Sequence, residues 1–326
     1  VIEPKKVYKT LGADILRLWV AATDYRAEMS VSDEILKRVS DAYRRLRNTQ
    51  RFLISNLHDF EPGKHNVPRS KMISLDQWVL DHAGALQEEI VLAYERYEFH
   101  HIYHKAHNFC VVEMGGFYLD VIKDRLYTMP TNSLARRSAQ TAMYHIAEAM
   151  VRWLAPILSF TAEEIWQALP GKRGDSVFLS AWHSFPDAEG STAIDWETIL
   201  GVRHAVSREL EQLRIASDIG APLDARVDLY CPPQLESVLS AFGEELRFVF
   251  ITSEAKVHAE SERPSNAVAV ESNATLFWLT LTRSEEVKCV RCWHRRDDVD
   301  HYEKYPNLCG RCVTNVEGPG EVRVYA

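Results

Sequence analysis

Four cysteines late in the chain have the residue type and spacing to do chemistry. In the run KCVRCWHRRDDVDHYEKYPNLCGRCV (288–313), Cys289 and Cys292 form one Cys-x-x-Cys pair, Cys309 and Cys312 form a second, and sixteen residues separate the pairs. That interval falls in the window for a four-cysteine zinc site. Each pair on a tight turn aims two sulfurs at one centre, so two pairs complete a tetrahedron. Gly310, inside the second pair, is expected to supply the backbone freedom of that turn. The competing arrangements are two disulfides or four unrelated thiols. No signal peptide is visible, and a reducing, cytoplasmic setting disfavours disulfides. Four protein sulfurs leave no open position for water or substrate, so the predicted ion is structural, one zinc per chain.

The elements that must carry this site come from an ordinary globular composition. The chain has 326 residues, 46% hydrophobic and 26% charged, which suits roughly two domains with a sizeable core. Its apolar runs are short and broken by charge, so no membrane partner is expected. The other two cysteines, Cys110 and Cys231, lie in apolar surroundings and read as core thiols. A net charge of −8 excludes a strongly basic nucleic-acid binder, but leaves room for a local basic face.

Read in order, the chain opens without a starting Met or a domain cap, as the continuation of something larger. Pro4 suits the first turn of a short helix ended by Gly12. Ser32 is a natural N-cap for a long helix, with Asp33 and Glu34 in its first turn and apolar residues at helical spacing through Leu53. A second helical run extends from near Asp76 to about Lys123, with breaks expected around Tyr97 to Phe99 and at Gly115–Gly116. Ser133 caps another long helix that Pro156 should kink, and Thr161 with Glu164 forms a capping box that restarts it. Residues 32–170 thus read as an antiparallel helical bundle. After Pro170–Gly171 a polar connector leads to one helix near 195–215, then to strands at 226–231, 255–259 and 274–281 around a helix at 234–250. The predicted fold is mainly α, a bundle followed by a small α+β module and a four-cysteine zinc hairpin.

Three features have dull readings beside sharp ones. Arg44, Arg47 and Arg51, with Arg45 beside them, form a basic stripe that is either a solvated face or a phosphate contact. Lys123, Arg125, Arg136 and Arg137 cluster at the adjoining helix ends and strengthen the second reading. His100, His101, His104 and His107 are read as a polar helix face, since no carboxylate spacing completes a metal site. SKMIS (70–74) lacks the glycines of a phosphate cradle and is set aside. No catalytic constellation appears, and the residues alone indicate a binding module.

Five segments together closely resemble one family. GADILRLWVAATDY (12–25), SDEILKRVSDAYRRLRNTQRFLISNL (32–57), FYLDVIKDRLY (117–127), ARRSAQTAMYHIAEAMVRWLAPILSFTAEEIW (135–166) and CVRCWHRRDDV…CGRCV (289–313) are similar, in order, to the C-terminal part of bacterial isoleucyl-tRNA synthetases, class I enzymes. The resemblance implies a parent that activates isoleucine with ATP and Mg, charges tRNA(Ile) and edits misloaded valine. The catalytic and editing domains would lie upstream, and the piece alone would be inactive. Residues 1–31 then correspond to a stem-contacting segment, 32–170 to the anticodon-binding bundle, 171–284 to a connector with the α+β module, and 285–326 to the zinc module of a monomer. Readers of splayed RNA bases stack them on aromatic rings and hold flanking phosphates with cations. On that basis Arg44, Arg45, Arg47 and Arg51 are expected at phosphates, and Trp293 at a base with Arg295 and Arg296 beside it. The alternative for Trp293 is packing of the hairpin. Rival families are another class I synthetase and a zinc-hairpin DNA-repair glycosylase; a zinc-bearing protein scaffold is the third reading.

Overall fold

The computed structural model describes residues 3–187 and 194–326. In chain order the helices are α1 (Pro4–Leu11), α2 (Ala13–Ala22), α3 (Asp33–Ser55), α4 (Pro62–His65), α5 (Ser74–Glu95) and α6 (Phe99–Asn108). A π-helical stretch, Phe109–Tyr118, leads into α7 (Leu119–Thr128), α8 (Leu134–Leu154) and α9 (Ser159–Ala168). Then come α10 (Trp196–Ile215), β1 (Ala225–Cys231), α11 (Pro233–Ser240), α12 (Leu246–Phe250), β2 (Glu254–Ala259), β3 (Val268–Ser272), β4 (Thr275–Arg283) and α13 (Gly310–Glu317). No helix among the described residues is long and apolar enough to cross a membrane. Two compact units emerge: one takes described residues up to 72, 76–120 and 137–187, the other 73–75, 121–136 and 194–326. The fold is the mainly helical one expected, with a small sheet and a cysteine cluster.

The first unit is the helical one, and local chemistry sets its helix ends. Ser32 accepts the Ile35 N–H at 3.2 Å, as its N-cap position predicts. Gly12 ends α1 at φ 95°, a conformation that favours glycine. Between α8 and α9 the chain does more than kink: Pro156 ends α8, and α9 starts afresh at Ser159. The expected capping box at Thr161 is not what starts α9. Thr161 already lies inside the helix, and Asp14 of α2 receives its N–H at 2.7 Å and that of Phe160 at 3.3 Å. One turn on, Arg17 donates to the carbonyls of Pro156 and Ile157 at 2.7 and 2.8 Å. An acid at a helix start and a base on the carbonyls closing the previous helix satisfy groups that helices cannot satisfy themselves. Pattern reading missed this because the cap comes from 146 residues away.

The helical run through 76–123 breaks where expected at Tyr97, which adopts φ 57°. At Gly115–Gly116 it does not break. The helix widens instead to π geometry, which brings each residue over the carbonyl five positions back. A Cβ on Gly115 would stand 3.0 Å from the Cys110 carbonyl, and one on Gly116 would stand 3.3 Å from that of Val111. The glycines therefore permit the wide turns rather than stopping the helix.

In the second unit a four-stranded sheet runs in the order β2-β1-β4-β3. β1 and β2 are parallel, joined through α11 and α12, and the other pairings are antiparallel. Ala225, Val227, Leu229 and Cys231 alternate into the core from β1. β3 was not anticipated: it closes a hairpin with β4 through Asn273 and Ala274, at φ 48° and 60°. The signal was the Ser-Asn dipeptide of VAVESNAT, passed over because β3 has just one buried residue, Val270.

Inside the first unit His145 Nδ1 and His183 Nε2 meet at 2.9 Å, and burial pushes each imidazole down to about 4. Their folded values lie below the ordinary His value, so the neutral pair stabilises the fold above about pH 6.5 and that contribution is lost as pH falls toward 4, at about 1.4 kcal/mol per pH unit for each group. His183→Gln should therefore flatten the fall in thermal midpoint between pH 6.5 and 4.5 relative to the parent chain. Parallel pH dependences of the two by circular dichroism would contradict this account.

Candidate metal centre and nucleic-acid interface

The four predicted cysteines converge. Among the described residues, Cys289, Cys292, Cys309 and Cys312 are the group that can hold a metal ion, with all four sulfurs within 4.8 Å of one another and all four residues buried. Cys292 and Cys309 Sγ lie 3.7 Å apart. A tetrahedron with metal–sulfur bonds of about 2.3 Å has edges of about 3.8 Å, so this donor set fits such an ion.

Each turn is built for its sulfurs. Trp293 donates its N–H to the Cys289 carbonyl at 2.9 Å and takes φ 67°, and Lys288 bridges to Arg295 to close the first knuckle. Cys309 directs its own N–H to Cys289 Sγ at 3.4 Å. Gly310 is needed for a different reason from the one expected. It begins α13 outside the left-handed region, and a Cβ there would stand 2.3 Å from the Tyr302 hydroxyl oxygen and 2.8 Å from Asp298 Oδ2. Its N–H goes to the same Asp298 oxygen at 2.9 Å. The turn itself does not require glycine here, and a Cβ would have to displace the Tyr302 and Asp298 side-chain ends.

Three arginines that motif reading did not single out tie this segment to the rest of the second unit. Arg291 donates to the Thr128 carbonyl at 2.5 Å, at the end of α7. Arg311 reaches Asp124 at 2.6 Å and Glu321 at 2.8 Å, and Arg323 reaches the same two carboxylates at 2.7 and 3.1 Å. Burial raises the Asp124 carboxyl, but the charges of Arg311 and Arg323 outweigh it and hold it at about 2. The Phe248 ring stacks under the Arg323 guanidinium at 3.3 Å. For Arg291 and Arg311 the signal in sequence was no more than arginine next to a ligand cysteine, and Arg323 had none.

The expected RNA-contacting residues separate by exposure. In the first unit Arg44, Arg45, Arg47 and Arg51 all face solvent on α3. Arg44 pairs with Asp41 at 2.5 Å and Arg47 with Glu164 at 2.9 Å, whereas among the described residues neither Arg45 nor Arg51 forms an ion pair. Arg137 is buried and bonded to the Asp59 carbonyl and the Gln140 side chain. In the second unit Lys123 is exposed, but Arg125 is fully buried with Nη1 on the Ala135 carbonyl. Arg136 is buried, bonded to the carbonyls of Leu126 and Thr131. Arg125, Arg136 and Arg137 are therefore internal ties, and the expected phosphate role fails for them: guanidinium groups committed to buried carbonyls are not presented to a strand. Arg295 is half-buried and bonded to Asp224 at 2.9 Å, and Arg296 lies 3.6 Å from Glu244. Trp293 is 60% exposed, with the Lys288 ammonium 5.9 Å from its ring centre.

The histidine run behaves as the polar helix face expected. His100 and His101 rings lie 4.2 Å apart on α6, and Tyr103 stacks on His107. Cys110 and Cys231 are buried, with burial pushing both thiols up to about 12.

Known proteins resemble this chain in sequence over its whole length. The family model described as the anticodon-binding domain of tRNA ligase matches residues 76–229. Over its full length the chain is 57% identical to isoleucine–tRNA ligases of Thioalkalivibrio sulfidiphilus and Alkalilimnicola ehrlichii, and 51% identical to that of Pseudomonas aeruginosa. The chain spans 35% of the length of these curated relatives. Among solved structures, the LeuRS–tRNA–LeuAMS complex of Agrobacterium radiobacter is a distant likeness, with a TM-score of 0.39 and 17% identity over 60% of this chain and 22% of that one.

Cys309→Ser should lower bound metal from one ion per chain to near zero and expose the 288–313 segment to protease. Helicity measured by far-UV circular dichroism should change little, because the one helix this segment enters is the short α13, Gly310–Glu317. Full metal retention in the variant would contradict the four-sulfur centre.

Proposed function

The chain belongs with the isoleucine–tRNA ligases over the 35% of their length that it spans, and from that premise we propose that it is the part of such a ligase that grips tRNA(Ile). The parent would activate isoleucine with ATP and Mg and join it to the tRNA, in the cytoplasm, where thiols stay reduced. Neither step has its residues here. Residues 1–31 would meet the tRNA stem, the bundle within 32–170 the anticodon arm, and 285–326 would add the metal-stapled module, with 171–284 between them. The ion would be zinc: four thiolates at tetrahedral spacing suit it, and no ligand position remains for catalysis.

The observation that carries the reading is Trp293. A large aromatic ring left 60% exposed, one residue from a buried metal ligand and in a strained left-handed conformation, is held out by the knuckle rather than used as core. Such a ring is a stacking surface for an unpaired base. Exposed Arg44, Arg45, Arg47 and Arg51 would neutralise phosphates, with Asp41 and Glu164 giving up their arginines to the strand. Lys123 and Arg296 remain candidate contacts. Arg295 would act by holding the Trp293 knuckle against Asp224.

Filter binding of tRNA(Ile) across a salt series tests this. Trp293→Ala should weaken binding by about 1–3 kcal/mol, the value of one stacked base. Arg51→Ala should weaken it for all tRNAs alike and reduce the salt slope by about 1. Equal affinity of the parent chain for tRNA(Ile) and unrelated tRNAs, unchanged by Trp293→Ala, would return the module to a non-specific role.

A further inference from the structure

One end of the helical unit carries a cluster of aromatic rings whose outer members face solvent. Phe99, the first residue of α6, is the hub: the rings of Tyr25, Tyr94 and Tyr97 lie 6.4, 6.1 and 6.0 Å from its own. Tyr94 extends the cluster to Trp182 at 5.7 Å. The Tyr94 hydroxyl donates to the Trp153 carbonyl at 2.6 Å, and Arg152 Nε donates to the Ala181 carbonyl at 2.9 Å. These bonds lay the segment 178–182 across the ends of α5 and α8. The outer side chains are exposed: Tyr25, Trp182, Tyr97 at 65% and, three residues before Trp182, Leu179 at 81%.

Single exposed apolar side chains are ordinary, whereas a connected patch of them marks a surface that something covers. The backbone at Tyr97 is an independent sign. Here α5 ends in a left-handed residue, with the Tyr97 N–H on the Tyr94 carbonyl at 3.1 Å and the Glu98 N–H on the Ala93 carbonyl at 2.8 Å. Glycine or asparagine serves such a helix-ending position with least strain, because a larger side chain crowds the left-handed backbone. Tyr97 occupies it at φ 57° and leaves most of its ring in solvent, so the fold gains little core in return.

The charges beside these rings do not suit a nucleic-acid strand. Asp24, Glu95 and Glu98 outnumber Arg26 and Arg96, and Arg26 is paired with Asp24 at 2.9 Å. His100 and His101 follow on α6, residues 176–182 contain no acid or base, and Arg152 at that segment's edge is paired with Glu148. A strand calls for an excess of cations along its phosphates. An aromatic centre with a rim of mixed charge is instead the make-up of a protein interface. The relatives supply an occupant. The chain spans 35% of their length, so nearly two thirds of such a ligase lies outside it. Domains of one chain typically meet over about 600–1,500 Å² of this kind of surface.

We propose that the face formed by Tyr25, Tyr97, Phe99, Trp182 and Leu179 docks the remainder of a ligase chain, whose apolar side chains cover the rings, with Tyr97 as the anchor. This rests on the chain being part of such a ligase, and not on the tRNA contacts of α3 or Trp293.

Hydroxyl-radical footprinting read by mass spectrometry tests it on two samples: the chain alone, and a full-length ligase in which the chain replaces the matching part of a relative. Oxidation of Tyr97, Trp182 and Leu179 should fall several-fold in the full-length protein without tRNA. Tyr97→Asn suits the left-handed backbone, so it should leave the thermal midpoint of the chain alone unchanged or raised. In the full-length protein the same variant should restore Trp182 oxidation several-fold. Equal oxidation of the unsubstituted residues in both samples, or unchanged Trp182 protection in the variant, would overturn the proposal. So would protection in the chain alone that rises with concentration, which would mean a second copy, or protection that needs added tRNA, which would mean a strand. Protection as predicted in a protein that binds no tRNA would show that the tRNA reading alone had failed.

Discussion

Everything at the far end of this chain depends on four sulfurs meeting at one point. The buried cluster of the cysteine module consists of Cys289, Cys292, Val299, Cys309 and Cys312, with Leu308 packed beside it. One valine and one partly buried leucine cannot offset the entropy of ordering so many loop residues. Metal–thiolate bonds can, because binding free energy at a site absent from the unfolded chain becomes folding free energy. With the centre formed, the left-handed turn at Trp293 and the close approach of Gly310 to Tyr302 become affordable. Arg291, Arg311 and Arg295 then attach the knuckles to α7 and to the sheet within the same unit.

Arginine does two jobs in this acidic chain, and burial decides which. Where the guanidinium is enclosed, as at Arg125, Arg136, Arg137 and Arg323, its fork of donors closes carbonyls or carboxylates that would otherwise be stranded. Where it is exposed, as along α3, pairing with a surface acid is weak and leaves the group facing solvent.

Much of this was legible in local sequence. The cysteine spacing, the Ser32 cap, the Gly12 stop and the alternation in β1 are short-range patterns, and each appears in the fold. What escaped was long-range or depended on close contact. Asp14 and Arg17 serve helix ends nearly half the chain away, so no capping pattern near Thr161 could reveal them. Gly115 and Gly116 signal a stop to a helix-breaking rule, yet permit a wider helix when neighbouring turns hold the chain. Arg125, Arg136 and Arg137 looked like a basic cluster because charge is visible in sequence and burial is not. Trp293 was ambiguous for the same reason, and its 60% exposure could not be read from the sequence.

X-ray absorption at the zinc edge on the purified chain tests the central claim most directly. The account predicts one zinc per chain with four sulfur neighbours at about 2.3 Å and no lighter ligand in the inner shell. A shell containing nitrogen or oxygen, or a chain that folds its 288–313 segment without any metal, would contradict it.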